Sequence, residues 1–282
     1  MSHRIQKPVV LVIALLTIAS LLLSACGGAG AKDLLSTVKA RGTMRVSTDP
    51  NYKPQSFLNE KGELDGFDID VSKEVAKRLG VKVEFVTPDW DAITAGNWGG
   101  RWDISIGSMT ITPDRKKALF FSTPYYYTPA QFAVPKDSTL ASVDDLAGKT
   151  VCAGSSTTYE DYLNEKLTLE GETIIKQVKG AKAQTLPTDQ ECVQAFQAGR
   201  KEAQALLTAQ PVVEDAIKAG APIKKLGAPV YYEDLAAAMD KNVANSDSFV
   251  AAVTKAIEDM HKDGTLTKFS TKWYGVDLTK KQ

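Results

Sequence analysis

From Leu34 onward the apolar positions switch repeatedly between a period of two and a helical period, which predicts strands exchanging with helices. "TMRVSTD" (43–49) alternates as a strand. "GFDIDVSKEVAKRLG" (66–80) begins extended; Val71, Val75, Ala76 and Leu79 then fall at helical spacing, and Gly80 supplies the stop. "VKVEFV" (81–86) and "WDISIGS" (102–108) read as strands, with a short helix and turn between them in "WDAITAGNWGG" (90–100). Such a series predicts an α/β protein.

After "FFSTPYYYTPAQFAVPK" (120–136), punctuated by Pro124, Pro129 and Pro135, a second α/β series begins. Ser142 is placed as a helix N-cap ahead of the strand in "GKTVCAG". "TTYEDYLNEKL" reads as a helix, and "ECVQAFQAGRKEAQALLT" as a helix, opened by Cys192, and then a strand. "PVVEDAIKAG" is a further helix, with Pro211 near its first turn. "AQFAV" and "DLAAAMDKN" (234–242) are extended connectors, one in each direction. Two opposed connectors imply two lobes, expected over 34–131 plus 237–282 and over 132–236. The tail returns to the first lobe through a helix with Phe249, Val250, Val253, Ile257 and Met260 on one face. "TLTKFSTKWYG" follows as a last helix, anchored by Phe269 and Trp273. No tandem repeat or low-complexity tract interrupts this order.

Composition narrows the chemistry. The chain has 282 residues, 43% hydrophobic and 24% charged, with a formal net charge of zero. Those are the proportions of a globular protein, and they favour neither nucleic acid nor an anionic membrane surface as partner. Neither a GxGxxG nor a GxxxxGK[ST] phosphate loop is present. The two histidines, His3 and His261, lie far apart, which argues against a histidine metal site or a histidine-based catalytic pair; His261 is expected on a solvated helix face.

The N-terminus carries a different signal. Arg4 and Lys7 form a positive n-region, and Val9 to Leu23 is an apolar run of signal-peptide length, ending in "LSAC" at Cys26. This resembles a bacterial lipobox, which makes residues 1–26 a lipoprotein signal, Cys26 the lipidated N-terminus and 27–33 a tether. The alternative is an ordinary secretory signal with a chance cysteine. Either route places the mature chain outside the cytoplasmic membrane. There Cys152 and Cys192 are expected to pair, closing a loop of about 40 residues worth roughly 4 kcal/mol in the chain-entropy model. Two buried free thiols are the alternative.

Several motifs together resemble the solute-binding proteins of ABC importers, in the polar amino acid family (family 3). They are "STDPNYKPQSFLNEKGELDGFDIDVSKEVAKRLG", "GSMTITPDRKKALFFSTPYYY", "DLAGKTVCAGSSTTYEDYL" and "KWYG", and the likeness runs from about Leu34 to Gly275. The resemblance implies a type II periplasmic-binding-protein-like fold, with two hinge strands and a ligand cleft that closes between the lobes. It also implies a permease partner, a monomer, a lipid anchor at the cell membrane, and neither cofactor nor metal. By the same resemblance Arg115 clamps a ligand carboxylate, since its planar fork allows a bidentate pair. Thr110 adds a hydroxyl and a backbone N–H to that carboxylate, and Ser108 lies where it can meet an α-ammonium. Tyr52 and Trp90 match aromatic positions around the ligand side chain, and Asp49 matches an acidic position facing it. Thr157 and Thr158 complete the carboxylate site from the second lobe. Phe57, Trp98, Trp102 and Trp273 are assigned to packing or surface structure.

Two positions depart from the family pattern. The second-lobe aspartate expected to meet an α-ammonium falls, in register, on Ala209, and Gln55 stands where an aromatic is common. A buried ammonium needs an anion or strong dipoles. Glu160, Asp161 or Glu233 can supply the first, Gln210 or Thr208 the second; otherwise the ligand is a carboxylate without an α-ammonium. The leading expectation is a binding receptor for a small amino acid, polar or basic side chains favoured, or a related carboxylate. The rival is an enzyme on the same fold, of the cyclohexadienyl dehydratase type, which would need a general acid in the cleft.

Overall fold

The computed structural model describes residues 33–281; the signal segment, Cys26 and all of the tether but its last residue lie outside them. That last residue, Asp33, is the N-cap of helix α1 (Leu34–Arg41), accepting from the Ser36 N–H at 2.9 Å. Strand β1 (Thr43–Ser47) follows, then three short strands, β2 (Asn51–Tyr52), β3 (Ser56–Leu58) and β4 (Leu64–Asp65), which pair among themselves. Strands of two or three residues carry too few alternations to register as a period, so this small sheet was not expected.

Helix α2 (Phe67–Leu79) starts earlier than its pattern implies. Phe67, Ile69, Val71 and Val75 are all buried, and so is Asp68, which makes the first turn imitate a strand's alternation. The preceding residue must be glycine: Gly66 has φ 128°, and a Cβ there would stand 2.3 Å from the Gln55 carbonyl oxygen. The remaining elements of this half are β5 (Lys82–Val86), α3 (Trp90–Thr94), β6 (Ile104–Thr110) and α4 (Arg115–Ala118).

Strand β7 (Leu119–Pro135) leads away from this half. Beyond it lie a 3-10 turn (Val143–Leu146) boxed by Ser142 and Asp145, then β8 (Thr150–Gly154), α5 (Thr158–Leu163), β9 (Lys182–Leu186), α6 (Asp189–Gln197), β10 (Ala205–Ala209) and α7 (Gln210–Lys218). Strand β11 (Ile223–Asp240) returns, followed by α8 (Asp247–Lys262) and α9 (Thr265–Tyr274). On α8, Phe249, Val253, Ile257 and Met260 are buried as their spacing predicts. His261 is only partly solvated: it is half-buried, with Nε2 hydrogen-bonded to the Pro124 carbonyl at 2.8 Å.

All the long strands join one eight-stranded sheet in the order β5-β1-β6-β11-β7-β10-β8-β9. β5, β1 and β6 run parallel in one lobe, and β10, β8 and β9 run parallel in the other. The antiparallel pair β7 and β11 forms the middle and carries the chain across. One large hydrophobic core gathers residues from Val38 to Tyr126 and from Leu235 to Leu278, another gathers Ala130 to Tyr231, and a smaller one in the first lobe is built on Ile93, Trp98 and Trp102. The fold is thus the two-lobed α/β type with two hinge strands.

A disulfide joins Cys152 on β8 to Cys192 on α6, tying the second lobe's sheet to its covering helix. Cys192 is the fourth residue of that helix, not its first; Thr188 caps it, accepting from the Glu191 N–H at 3.2 Å. The bond spans 40 residues, for which chain entropy gives about 4 kcal/mol. The double substitution C152A/C192A should lower the unfolding free energy by about that amount in urea titrations. An unchanged midpoint and slope would show that the crosslink contributes nothing.

Candidate ligand-binding site

In a parallel sheet with covering helices, ligands collect at the carboxyl ends of the strands. The eight residues singled out by sequence all lie at or beyond such ends. Asp49 and Tyr52 follow β1, Trp90 follows β5, Ser108 and Thr110 end β6 with Arg115 just after, and Thr157 and Thr158 follow β8. All eight line one cavity. Gly107, Tyr159, Pro187, Thr188, Asp189 and Glu233 complete its wall.

Arg115 reaches across from the first lobe. Its Nη1 donates to the Thr110 carbonyl and its Nη2 to the Ser156 carbonyl of the second lobe, each at 3.0 Å. Trp90 Nε1 donates to that same Ser156 carbonyl at 3.2 Å, and the guanidinium lies 5.6 Å from the Trp90 ring centre. A guanidinium has five N–H groups, so three remain for a further acceptor. Burial pulls the Arg115 pKa below its usual value, and Glu233 opposes that pull as the leading nearby anion.

The hydroxyls are already engaged with the protein. Thr110 donates to Glu233 Oε1 at 2.7 Å, and Thr158 donates to the same oxygen. Tyr159 donates to Glu233 Oε2 at 2.7 Å. Thr157 donates to the Gly154 carbonyl at 2.7 Å and caps α5 by accepting from the Glu160 N–H at 3.2 Å. Ser108 donates to Asp68 Oδ2 at 2.7 Å and also pairs with the Tyr126 hydroxyl. With φ at +57° Ser108 occupies the left-handed region, held there by these bonds and by its N–H donating to the Tyr125 hydroxyl at 2.9 Å. The acceptors of these protons lie from 3 to 123 residues away in the chain, so the local pattern around the threonines and serine does not reveal them.

Three carboxylates face the cavity: Asp49, Asp189 and Glu233. Of the acids considered from sequence, Glu233 is here and is buried. Glu160 instead accepts from the Ser156 N–H at 2.7 Å, and Asp161 is not among the lining residues. Ala209 is fully buried in the second core, away from the cavity. Asp189 was not anticipated. It accepts from the Gly154 N–H at 2.7 Å and from the Thr208 hydroxyl at 3.0 Å. Gly154 permits that approach, since a Cβ on it would stand 2.9 Å from Asp189 Oδ1. Read locally, "PTDQE" is a capped helix start with an acid in its first turn; the usable signal was its place beyond the end of β9. Burial pushes the Asp189 carboxyl up to about 7 and the Asp49 carboxyl up to about 6.

Residues assigned to packing stay outside the cavity wall. Trp98 and Trp102 are buried against each other, and Phe57 meets Trp273 edge-on with ring centres 5.8 Å apart. Gln55 is fully buried and does not touch the cavity, so it does not alter a side-chain pocket there.

The lobes also meet around the cavity's rim. The hydroxyls of Tyr52 and Tyr159 are 3.2 Å apart, Ser155 donates to Asp91 at 3.1 Å, and Lys116 pairs with Glu170 at 2.7 Å. The cleft is closed.

Comparison with known proteins agrees with this architecture. The profile of bacterial extracellular solute-binding proteins, family 3, matches residues 44–276. The L-cystine-binding protein TcyJ of Escherichia coli (strain K12) is 33% identical over 250 residues, covering 88% of each chain. An ancestral arginine-binding protein bound to glutamine superposes with a TM-score of 0.72 at 34% identity, covering 83% of this chain and 99% of its own. An ancestral amino acid-binding protein, described as a precursor of cyclohexadienyl dehydratase, gives 0.73 at 34% identity over 85% of this chain and 99% of its own. Among the described residues no helix is long and apolar enough to cross a membrane. With most of its length matched by the profile and by relatives of the same two-lobed design, the chain belongs to the bacterial extracellular solute-binding proteins, family 3.

Proposed function

We propose that this chain is the extracytoplasmic receptor of an ABC importer and binds an α-amino acid in its closed cleft. The observation that carries the reading is the pairing of opposite charges in one cavity: Arg115 with three unfilled N–H groups, and Asp189 with unfilled acceptor capacity. A zwitterion matches both ends. A carboxylate has about four acceptor positions. Glu233 fills its own with Thr110, Thr158, Tyr159 and, at 3.5 Å, Thr128, whereas each Asp189 oxygen takes one donor. The α-ammonium therefore goes to Asp189 and the α-carboxylate to Arg115. Ser108, Thr110, Thr157 and Thr158 shape the wall around these two groups. The side chain lies among Asp49, Tyr52 and Trp90, and one cation against three carboxylates on the wall favours a polar or basic one. Relatives that bind cystine and arginine support the class of ligand. The dehydratase reading gains nothing, because the structural neighbour linked to that enzyme is itself an amino acid-binding protein.

The same reading makes Cys26 the lipid anchor after cleavage just ahead of it, with 27–33 as the tether. The mature chain works as a monomer, tethered outside the cell membrane beside its permease. The lobe boundaries are placed within β7 and β11, giving 34–131 plus 237–282 and 132–236.

Thermal-shift screening of the chain from Cys26 onward against the amino acids tests the class. A ligand at 100 times its Kd stabilises by about 2.7 kcal/mol; no shift with any α-amino acid would sink the proposal. For a ligand so found, Arg115→Lys should weaken binding about 10- to 100-fold, the loss of one charge-assisted hydrogen bond. An unchanged Kd by calorimetry would return Arg115 to a structural role.

The Asp189 assignment has a pH signature. Its folded carboxyl is raised from 3.8 to about 7, so the stability it contributes is full below about 4 and is lost as pH rises through about 7. Asp68, raised to about 7, and Asp49, raised to about 6, act in the same direction. Without amino acid, the melting temperature should fall across that window. Ammonium binding needs the ionised form, so affinity should rise as pH passes about 7. Asp189→Asn should remove that rise; a rise that persists in the variant would assign it elsewhere.

A further inference from the structure

We propose that Glu233 is a closure latch: its carboxylate, carried by the return hinge strand, docks the start of α5 and sets how far the cleft stays closed. Glu233 sits where β11 leaves the first lobe. The register places it opposite Thr128 on β7, and two residues on, Leu235 pairs with Thr110 at the end of β6. The Ile111 N–H donates to the Asp234 carbonyl at 3.0 Å, so pairing with the first lobe reaches the residue next to Glu233. Glu233 therefore stays with the hinge strand and its pairing to the first lobe, although it lies just before the 236/237 lobe boundary in the chain.

Its donors divide accordingly. Thr110 and Thr128 lie on strands paired beside it and can keep their bonds when the lobes part. Thr158 and Tyr159 are the first two residues of α5, in the second lobe, and they donate to different oxygens of the same carboxylate. Opening the cleft pulls these two away. Hydrogen bonds to a buried charged acceptor are about twice as strong as neutral ones, so this pair is a concentrated source of closing free energy. The latch is made wholly by groups of the chain, and the carboxylate's acceptor positions are filled by it. Its effect on any ligand therefore acts through the closed population, with apparent Kd equal to the intrinsic value divided by the competent fraction. That predicts a uniform change in affinity across ligands, unlike a residue that touches them.

The test uses the chain from Cys26 onward with Glu233→Gln, which keeps the shape and removes the charge and one acceptor oxygen. Small-angle scattering without added amino acid reads opening directly and does not depend on the ligand assignment. The variant should show a larger radius of gyration than the parent. Calorimetry with L-arginine, L-glutamine and L-cystine reads affinity. Every one of these that binds the parent should weaken by the same factor, about 10-fold, with rank order kept. Superimposable scattering curves overturn the latch, and so does a change of rank order, which would make Glu233 a ligand contact. Tyr159→Phe removes one second-lobe donor and leaves the carboxylate. It should open the protein in the same direction by a smaller amount, and it decides the matter if circular dichroism shows the Gln variant unfolded. If none of the three amino acids binds the parent, the scattering result still stands for or against the latch.

Discussion

Charge must be buried at a surface that also has to open, and that constraint governs the rest of this structure. Arg115, Asp189 and Glu233 line one closed cavity, and an unpaired buried charge would cost several kcal/mol. Each is therefore supplied with dipoles by the chain itself. Arg115 leans on two carbonyls, Asp189 on a backbone N–H and a threonine, and Glu233 on a ring of hydroxyls. Carbonyls and hydroxyls suit a cleft that moves, because they can be solvated when the lobes part without leaving a bare ion behind. The salt bridges that join the lobes, such as Lys116 to Glu170, lie on the rim and leave the cavity's own charges for a ligand to match.

The α/β architecture delivers these groups with little special construction. Five strand ends in two half-sheets point their following loops at one cavity, so residues spread from Asp49 to Asp189 converge without long insertions. The two hinge strands make the halves one sheet, and their pairing is irregular between Leu226 and Tyr231 and again between Leu235 and Ala236. Irregular pairing concentrates bending where ladder bonds are disrupted. The regular stretch between those two breaks carries Glu233, so the proposed latch sits between them.

Legibility in the sequence followed the range of the interactions. Alternation over β1, β5 and β6 and the apolar face of α8 depend on neighbours within a few residues, and they were readable. The small sheet of β2, β3 and β4 was too short to show a period. The start of α2 was masked because Asp68, buried between Phe67 and Ile69, imitates a strand. At the site, the eight chosen residues came from motif resemblance and all reached the cavity wall, yet what their hydroxyls do depends on distant acceptors such as Glu233 and Asp68. Ala209 stands at the one register position where the family pattern carries an acid, but the acid beside the cleft comes from a different element. Asp189 carries only the local signal of a helix-start acid; its role depends on β9 and Gly154 holding it beside the cleft.

Hydrogen-bond capacity separates binding groups from holding groups more sharply than residue type does. Ser108, Thr110 and Thr158 look like ligand donors, yet each has one hydroxyl proton, already given to a buried carboxylate. Glu233 looks like the anion for an ammonium, yet its lone pairs are taken. Among the charged side chains of the wall, three N–H groups on Arg115 and acceptor positions on Asp189 and Asp49 remain unfilled. These lie in different lobes: Arg115 and Asp49 in the first, Asp189 in the second. A ligand that fills them must touch both lobes at once, so the arrangement proposed to select a zwitterion also couples binding to closure.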